Sequence, residues 1–188
     1  METKRGVVFV ALAALVVSGV LWVQNGLADP ASKSQGQLLR FSDGSIVEGS
    51  SAMLVRTDTG VTMTIHTSGL DPGAAYTGWW VIYNNPEECA AFPDPCAGPD
   101  FDNPRVQATL LHATGHVIGN NGVGNFAAHL ADDTGGLVDA RKAHIELVVR
   151  SHGQPIAGMV KEQITMFDGG CSINVCESEQ VTTPVFVP

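Results

Sequence analysis

Beyond its N-terminal apolar run, the chain alternates apolar and polar side chains over most of its length, the period of a strand with one buried face. In "VTMTIHT", Val61, Met63 and Ile65 share one side while Thr62, Thr64 and His66 share the other. The preceding "AMLVRTDTG" supplies a partner strand and Asp58-Thr59-Gly60 a turn, so residues 52–67 are expected to form a hairpin. Residues 75–85, "AYTGWWVIYNN", read as an aromatic-rich strand against the core on one or both faces. Residues 105–118 and 125–132 read as two more strands, and "AHIELVVRS" as another with Ile145, Leu147 and Val149 inward. The rhythm breaks at "GMVKEQITMFDGG", where Val160, Ile164 and Phe167 fall at helical spacing and Gly169-Gly170 stops the helix. The tail "EQVTTPVFVP" reads as a last edge strand, because Pro184 is unsuited to a central one. About seven short strands and one short helix near the C-terminus predict an all-β, antiparallel β-sandwich.

The N-terminus adds a compartment. Lys4 and Arg5 precede an uncharged apolar run over residues 6–23, and the small residues Gly26 and Ala28 suit cleavage before Asp29. This predicts a signal peptide over residues 1–28 and a secreted or periplasmic protein. The alternative is an uncleaved N-terminal membrane anchor, since the run approaches the roughly 18 residues of a spanning helix. Residues 29–37 then read as a short polar linker, and 38–188 as a single disulfide-stapled β-sandwich domain. A net charge of −9 argues against nucleic acid as a partner, and against membrane association beyond the leader. Four cysteines fit export: Cys89 and Cys96 in "CAAFPDPC", Cys171 and Cys176 in "CSINVC". Two local disulfides, Cys89–Cys96 and Cys171–Cys176, are expected in an oxidising compartment, and the first staples an otherwise overlong loop. The rival, one zinc site built from all four, lacks the CxxC spacing.

The stretch "HATGHVIGNNGVGNFAAHL" concentrates three histidines around a turn signal. A two-residue turn at Asn120-Asn121 would set His112 opposite His129, whereas one at Asn121-Gly122 would set it opposite Ala131. Either register puts Leu111, Ala113, Val117, Phe126, Ala128 and Leu130 on the core side. It puts His112, Thr114, His116, Asn125, Ala127 and His129 on the other. Four positions along a strand separate His112 from His116 by about 13 Å, too far to share an ion. His112 and His129 would lie about 5 Å apart, or about 7–8 Å on the diagonal, so they are the candidate metal pair, with a further ligand from the His66 face or a loop carboxylate. The bland reading is a solvated sheet face. His144, Glu146, Arg150 and His152 likewise read as the polar face of one strand, its two histidines about 26 Å apart.

Two further constellations carry weaker signals. Asp94, Asp100, Asp102 and Asn103 offer hard oxygen atoms on one loop, which suits calcium, yet the EF-hand pattern is absent. Trp79, Trp80 and Tyr83 suit a sugar-stacking platform, although neighbouring tryptophans on a strand face opposite ways. No GxSxG elbow, HExxH motif, P-loop or dinucleotide fingerprint occurs. The sequence therefore favours a secreted or periplasmic, non-catalytic binding or envelope-associated module for an unspecified ligand. One alternative is a copper- or zinc-binding β-sandwich using His112 and His129. Another is an extracellular polysaccharide-active hydrolase with Glu87 or Glu88 beside the aromatic strand, which would need carboxyl groups roughly 5–10 Å apart.

Overall fold

The computed structural model describes residues 30–133 and 135–183, so the expected signal peptide and Pro184 lie outside the described residues. Eight strands carry the fold: β1 (Ser32–Arg40), β2 (Ser51–Thr57), β3 (Gly60–Thr67), β4 (Ala75–Tyr83), β5 (Ala108–Val117), β6 (Gly124–Ala131), β7 (His144–Ser151) and β8 (Glu177–Thr183). The short helix is a single turn, α1 (Val160–Gln163). All strands belong to one sheet in the order β5-β4-β7-β8-β1-β2-β3-β6, with every neighbouring pair antiparallel. The sheet curls until its two edge strands approach, and the His116 ring on β5 stacks on Phe126 of β6 with centroids 4.6 Å apart. The architecture is thus a nearly closed barrel. The expected seven-stranded sandwich is wrong, because alternation marks the buried face of a strand equally whether a second sheet or the same curled sheet covers it.

The barrel interior is filled by side chains. Leu38, Leu54, Met63, Tyr76, Trp80, Ile82, Phe126, Ile145 and Leu147 form its buried core, and Leu111, Ala113, Ala128 and Leu130 pack against them. One end is closed by Leu137, Ala140 and Ala143, where buried Arg56 donates from Nη1 to the Ala140 carbonyl at 2.6 Å. The 52–67 hairpin forms as expected, with Thr57 opposite Gly60.

Three local expectations fail for identifiable reasons. Residues 105–118 and 125–132 do form strands, but these do not pair with each other: β5 pairs with β4 and β6 with β3. The Asn120-Asn121 turn exists, closed by Gly122 N–H donating to Gly119 O. The chain around it spends its main-chain groups on the 70–74 loop instead of a ladder: Leu70 N–H donates to Gly122 O, Gly73 N–H to Ile118 O, and Ile118 N–H to Ala74 O. Residues 32–37 are not a linker but most of β1, paired with β2 and β8. The C-terminal strand is not an edge, for β8 lies between β7 and β1.

A β-bulge changes the histidine faces. Gly78 pairs with Thr114 but Trp79 with His112, which leaves Ala113 as the extra residue. Beyond it the alternation inverts. His116 pairs with buried Tyr76 and turns toward the core, while Val117, expected inside, is 40% exposed.

Candidate functional site

The outer face of β5-β4-β7-β8 is not a solvated polar face. On β4 it carries Trp79, Val81 and Tyr83, and on β7 His144, Glu146 and Val148, most of them buried. Two disulfide-stapled segments cover it. The first, closed by Cys89–Cys96 with S–S 2.07 Å, packs with Val106 on Tyr83, Val81 and Ala108. Asp100 holds that segment, because its carboxylate accepts from the backbone N–H groups of Ala90 and Ala97 at 2.9 and 2.8 Å. Those bonds hold its pKa below the ordinary carboxylate value. The second segment runs from His152 through α1 to Cys176 and is closed by Cys171–Cys176 with S–S 2.04 Å. It lies flush on β5: a Cβ on Gly115 would collide with the Ile164 carbonyl oxygen.

The second segment is anchored by a buried polar chain. Trp79 Nε1–H donates to Thr77 Oγ1 at 2.6 Å, and Thr77 Oγ1 lies 2.8 Å from His152 Nε2. His152 Nδ1 lies 2.9 Å from the Gly169 carbonyl, which can only accept, so Nδ1 carries the proton and Nε2 accepts from the threonine hydroxyl. Burial lowers the His152 pKa and so favours the neutral ring. A hydroxyl, an imidazole and an orienting acceptor resemble nucleophile and base, yet Thr77 and His152 are fully buried and saturated, and no substrate reaches them. The chain is a clamp.

Between the two covers an open groove of 520 Å³ remains, within the range of small-molecule sites. Val81, Leu110, Val148 and Val181 form its apolar floor. Phe101 and Asp102 come from the first cover, Phe167 from the second, and Phe41 from the turn after β1. Phe41 is 53% exposed and Phe101 37%, so both rings present apolar surface at the groove. At the floor lies Glu146, with the Tyr83 hydroxyl 3.5 Å from its Oε2. Burial pushes the Glu146 carboxyl up to about 7, against a smaller lowering by the tyrosine. Burial likewise raises the Tyr83 phenol.

The residues singled out by sequence are scattered. His112, on β5, packs its ring edge on Trp79 at 5.3 Å and places Nε2 2.9 Å from the Ile164 carbonyl. His129, on β6, has Nδ1 2.9 Å from Thr62 Oγ1, and His66 Nδ1 lies 2.8 Å from Asn125 Oδ1. His112 and His129 therefore sit on strands that do not pair with each other, and each has its own partner. Among the described residues, the groups of three or more potential ligands close enough to share an ion are His152/Cys171/Cys176 and Cys89/Cys96/Asp100. Both depend on disulfide sulfurs, which offer no thiolate.

The remaining constellations also find structural uses. In the proline-rich loop Asp100 is committed to backbone amides, and Asn103 Oδ1 accepts from Arg105 N–H while Nδ2 donates to Glu88 O. Glu88 pairs with Arg105 at 3.3 Å. Trp80 is in the barrel core, Trp79 lies under Phe167 and His112, and Tyr83 is buried, so this trio presents no stacking platform. The local pairing of all four cysteines forms as expected.

Sequence reading passed over Glu146, Phe41, Phe101 and Phe167 as site residues. One signal was available: "WWVIY" is apolar at consecutive positions, which requires cover on both faces of β4. Among the described residues no helix is long and apolar enough to cross a membrane. No protein-family model matches the chain, and no curated protein is significantly similar to it.

Proposed function

We propose that this protein is a secreted or periplasmic, non-catalytic binding protein that takes a small, largely apolar ligand in the groove between its two stapled covers. The observation that carries the reading is the groove itself. An apolar floor on rigid strands, three phenylalanine walls from three separate segments, and one acidic group at the base form the usual composition of a small-ligand site. The strands supply a rigid floor, and each of the two covers that contribute Phe101 and Phe167 carries a disulfide. The buried, saturated Thr77–His152 pair supports a role without catalysis. The signal-like N-terminus and the two disulfides support an oxidising compartment.

The test is binding of an environment-sensitive apolar fluorophore, N-phenyl-1-naphthylamine, to the mature protein. Phe41→Ala and Phe101→Ala are expected to weaken binding by about fivefold to thirtyfold each, the loss of one aromatic contact of about 1–2 kcal/mol. Phe92→Ala, equally exposed at 53% but outside the groove lining, is expected to bind as wild type does. Equal affinities for all four proteins, or no binding to wild type, would contradict the reading.

A further inference from the structure

The groove's charges are as informative as its shape. Its lining holds two carboxylates, Asp102 and Glu146, and neither lysine, arginine nor histidine. Among the described residues Glu146 forms no salt bridge, and its hydrogen-bond contact is the Tyr83 hydroxyl at 3.5 Å, long for such a bond. Arg150 stacks on the Phe167 wall at 4.0 Å, but its Nε donates to the Phe167 carbonyl and its Nη2 reaches Asp168 at 3.7 Å. The adjoining depression, which shares Phe41 and Ser178 with the groove, adds Glu177 and Glu179 against Arg40 alone. An anionic amphiphile would thus bring its charge to a site that already holds two carboxylates and offers no cation. An apolar cation would supply the charge that Glu146 lacks.

Resting on the binding-protein reading above, we propose that the ligand is an apolar cation: an aromatic or hydrocarbon body held among Phe41, Phe101 and Phe167, carrying one protonated amine that pairs with Glu146. The amine donates to the Glu146 carboxylate, the Tyr83 oxygen is placed to accept a second hydrogen bond, and Asp102 adds attraction at the mouth. In an apolar surround the Coulombic attraction within such a pair is stronger than in water. The titratable and charged groups on the elements around Glu146 are Tyr83 on β4, His144 and Arg150 on β7, Glu177 and Glu179 on β8, and Asp102 on the first cover. The two that can be cationic lie outside the groove lining: His144 has Nδ1 3.4 Å from Cys96 Sγ and its pKa lowered by burial, and Arg150 is held by the Phe167 carbonyl and Asp168. Binding of a cation therefore favours the ionised Glu146, whose carboxyl is raised to about 7 when the groove is empty.

The experiment uses three probes of one shape, 2-naphthylmethylamine, 2-naphthalenemethanol and 2-naphthoate, each displacing the fluorophore from the mature protein at pH 8. The amine is expected to compete at least about tenfold more strongly than the alcohol, and the carboxylate more weakly than either. Glu146→Gln is expected to bring the amine to the level of the alcohol while leaving the alcohol within about twofold, which also reports that the variant is folded. Alcohol or carboxylate binding as tightly as the amine would overturn the cation assignment and leave the groove reading in place. Failure of all three probes to bind would overturn both.

Discussion

Glu146 makes a sharp thermodynamic prediction that needs no ligand. Glu146 is half-buried on the outer face of β7, and the partial loss of water raises its pKa from 4.5 to about 7. The folded chain thus holds this proton to higher pH than the unfolded chain does. Between about pH 4.5 and about pH 7 the folded state binds more protons, and stability falls as pH rises across that window. The ceiling is about 3 kcal/mol at pH 8, from 1.36 kcal/mol per tenfold change, and solvent at the groove mouth brings it toward about 2. Glu146→Gln removes the titration while keeping the shape. In urea unfolding at a series of pH values, the stability difference between Glu146→Gln and wild type is expected to be flat below pH 4.5. It should then grow in favour of the variant by about 2 kcal/mol by pH 8. Parallel pH profiles for the two proteins would refute the claim that this carboxyl ionises at a cost.

Other sites give independent tests. Thr77→Val keeps the shape but strands the Trp79 indole N–H and His152 Nε2 in a buried site, so urea unfolding should show a loss of about 1–3 kcal/mol. Gly115→Ala places a methyl against the Ile164 carbonyl and should lift the second cover from β5, read as faster hydrogen exchange over residues 160–170 with little change in the core strands. Burial lowers the pKa of His116 from 6.5, so the unfolded chain gains protons first and stability falls as pH drops below 6.5; His116→Phe should reduce that slope in acid unfolding. Replacing Cys171 and Cys176 together by serine should cost about 2 kcal/mol by urea unfolding and red-shift emission from Trp79 as the cover loosens.

What was legible in the sequence follows from which interactions are local. Period-two alternation placed Leu111, Phe126, Ala128 and Leu130 on the core side correctly, because a pleat imposes its faces on any partner. The 52–67 hairpin and the two disulfides closed over short loops and were legible for that reason. Pairing between distant strands was not. β5 and β6 carry patterns compatible with a hairpin, but residues 118–122 bond to the 70–74 loop and the two strands pair with β4 and β3. The bulge at Ala113 is equally silent in composition, yet it separates His112 from His116 by face. The groove depended on a further step. Glu146 reads as one more polar residue on "HIELVVRS" until two distant covers and the turn after β1 enclose it.

The most direct test of the central claim is a map of where an apolar ligand sits. Titrating 2-naphthylmethylamine into the 15N-labelled protein, the account predicts that shifted amides cluster at Val81, Leu110, Glu146, Val148 and Val181, with Phe41, Phe101 and Phe167 at the margin. Saturable shifts centred on any other surface, or none at millimolar probe, would contradict it.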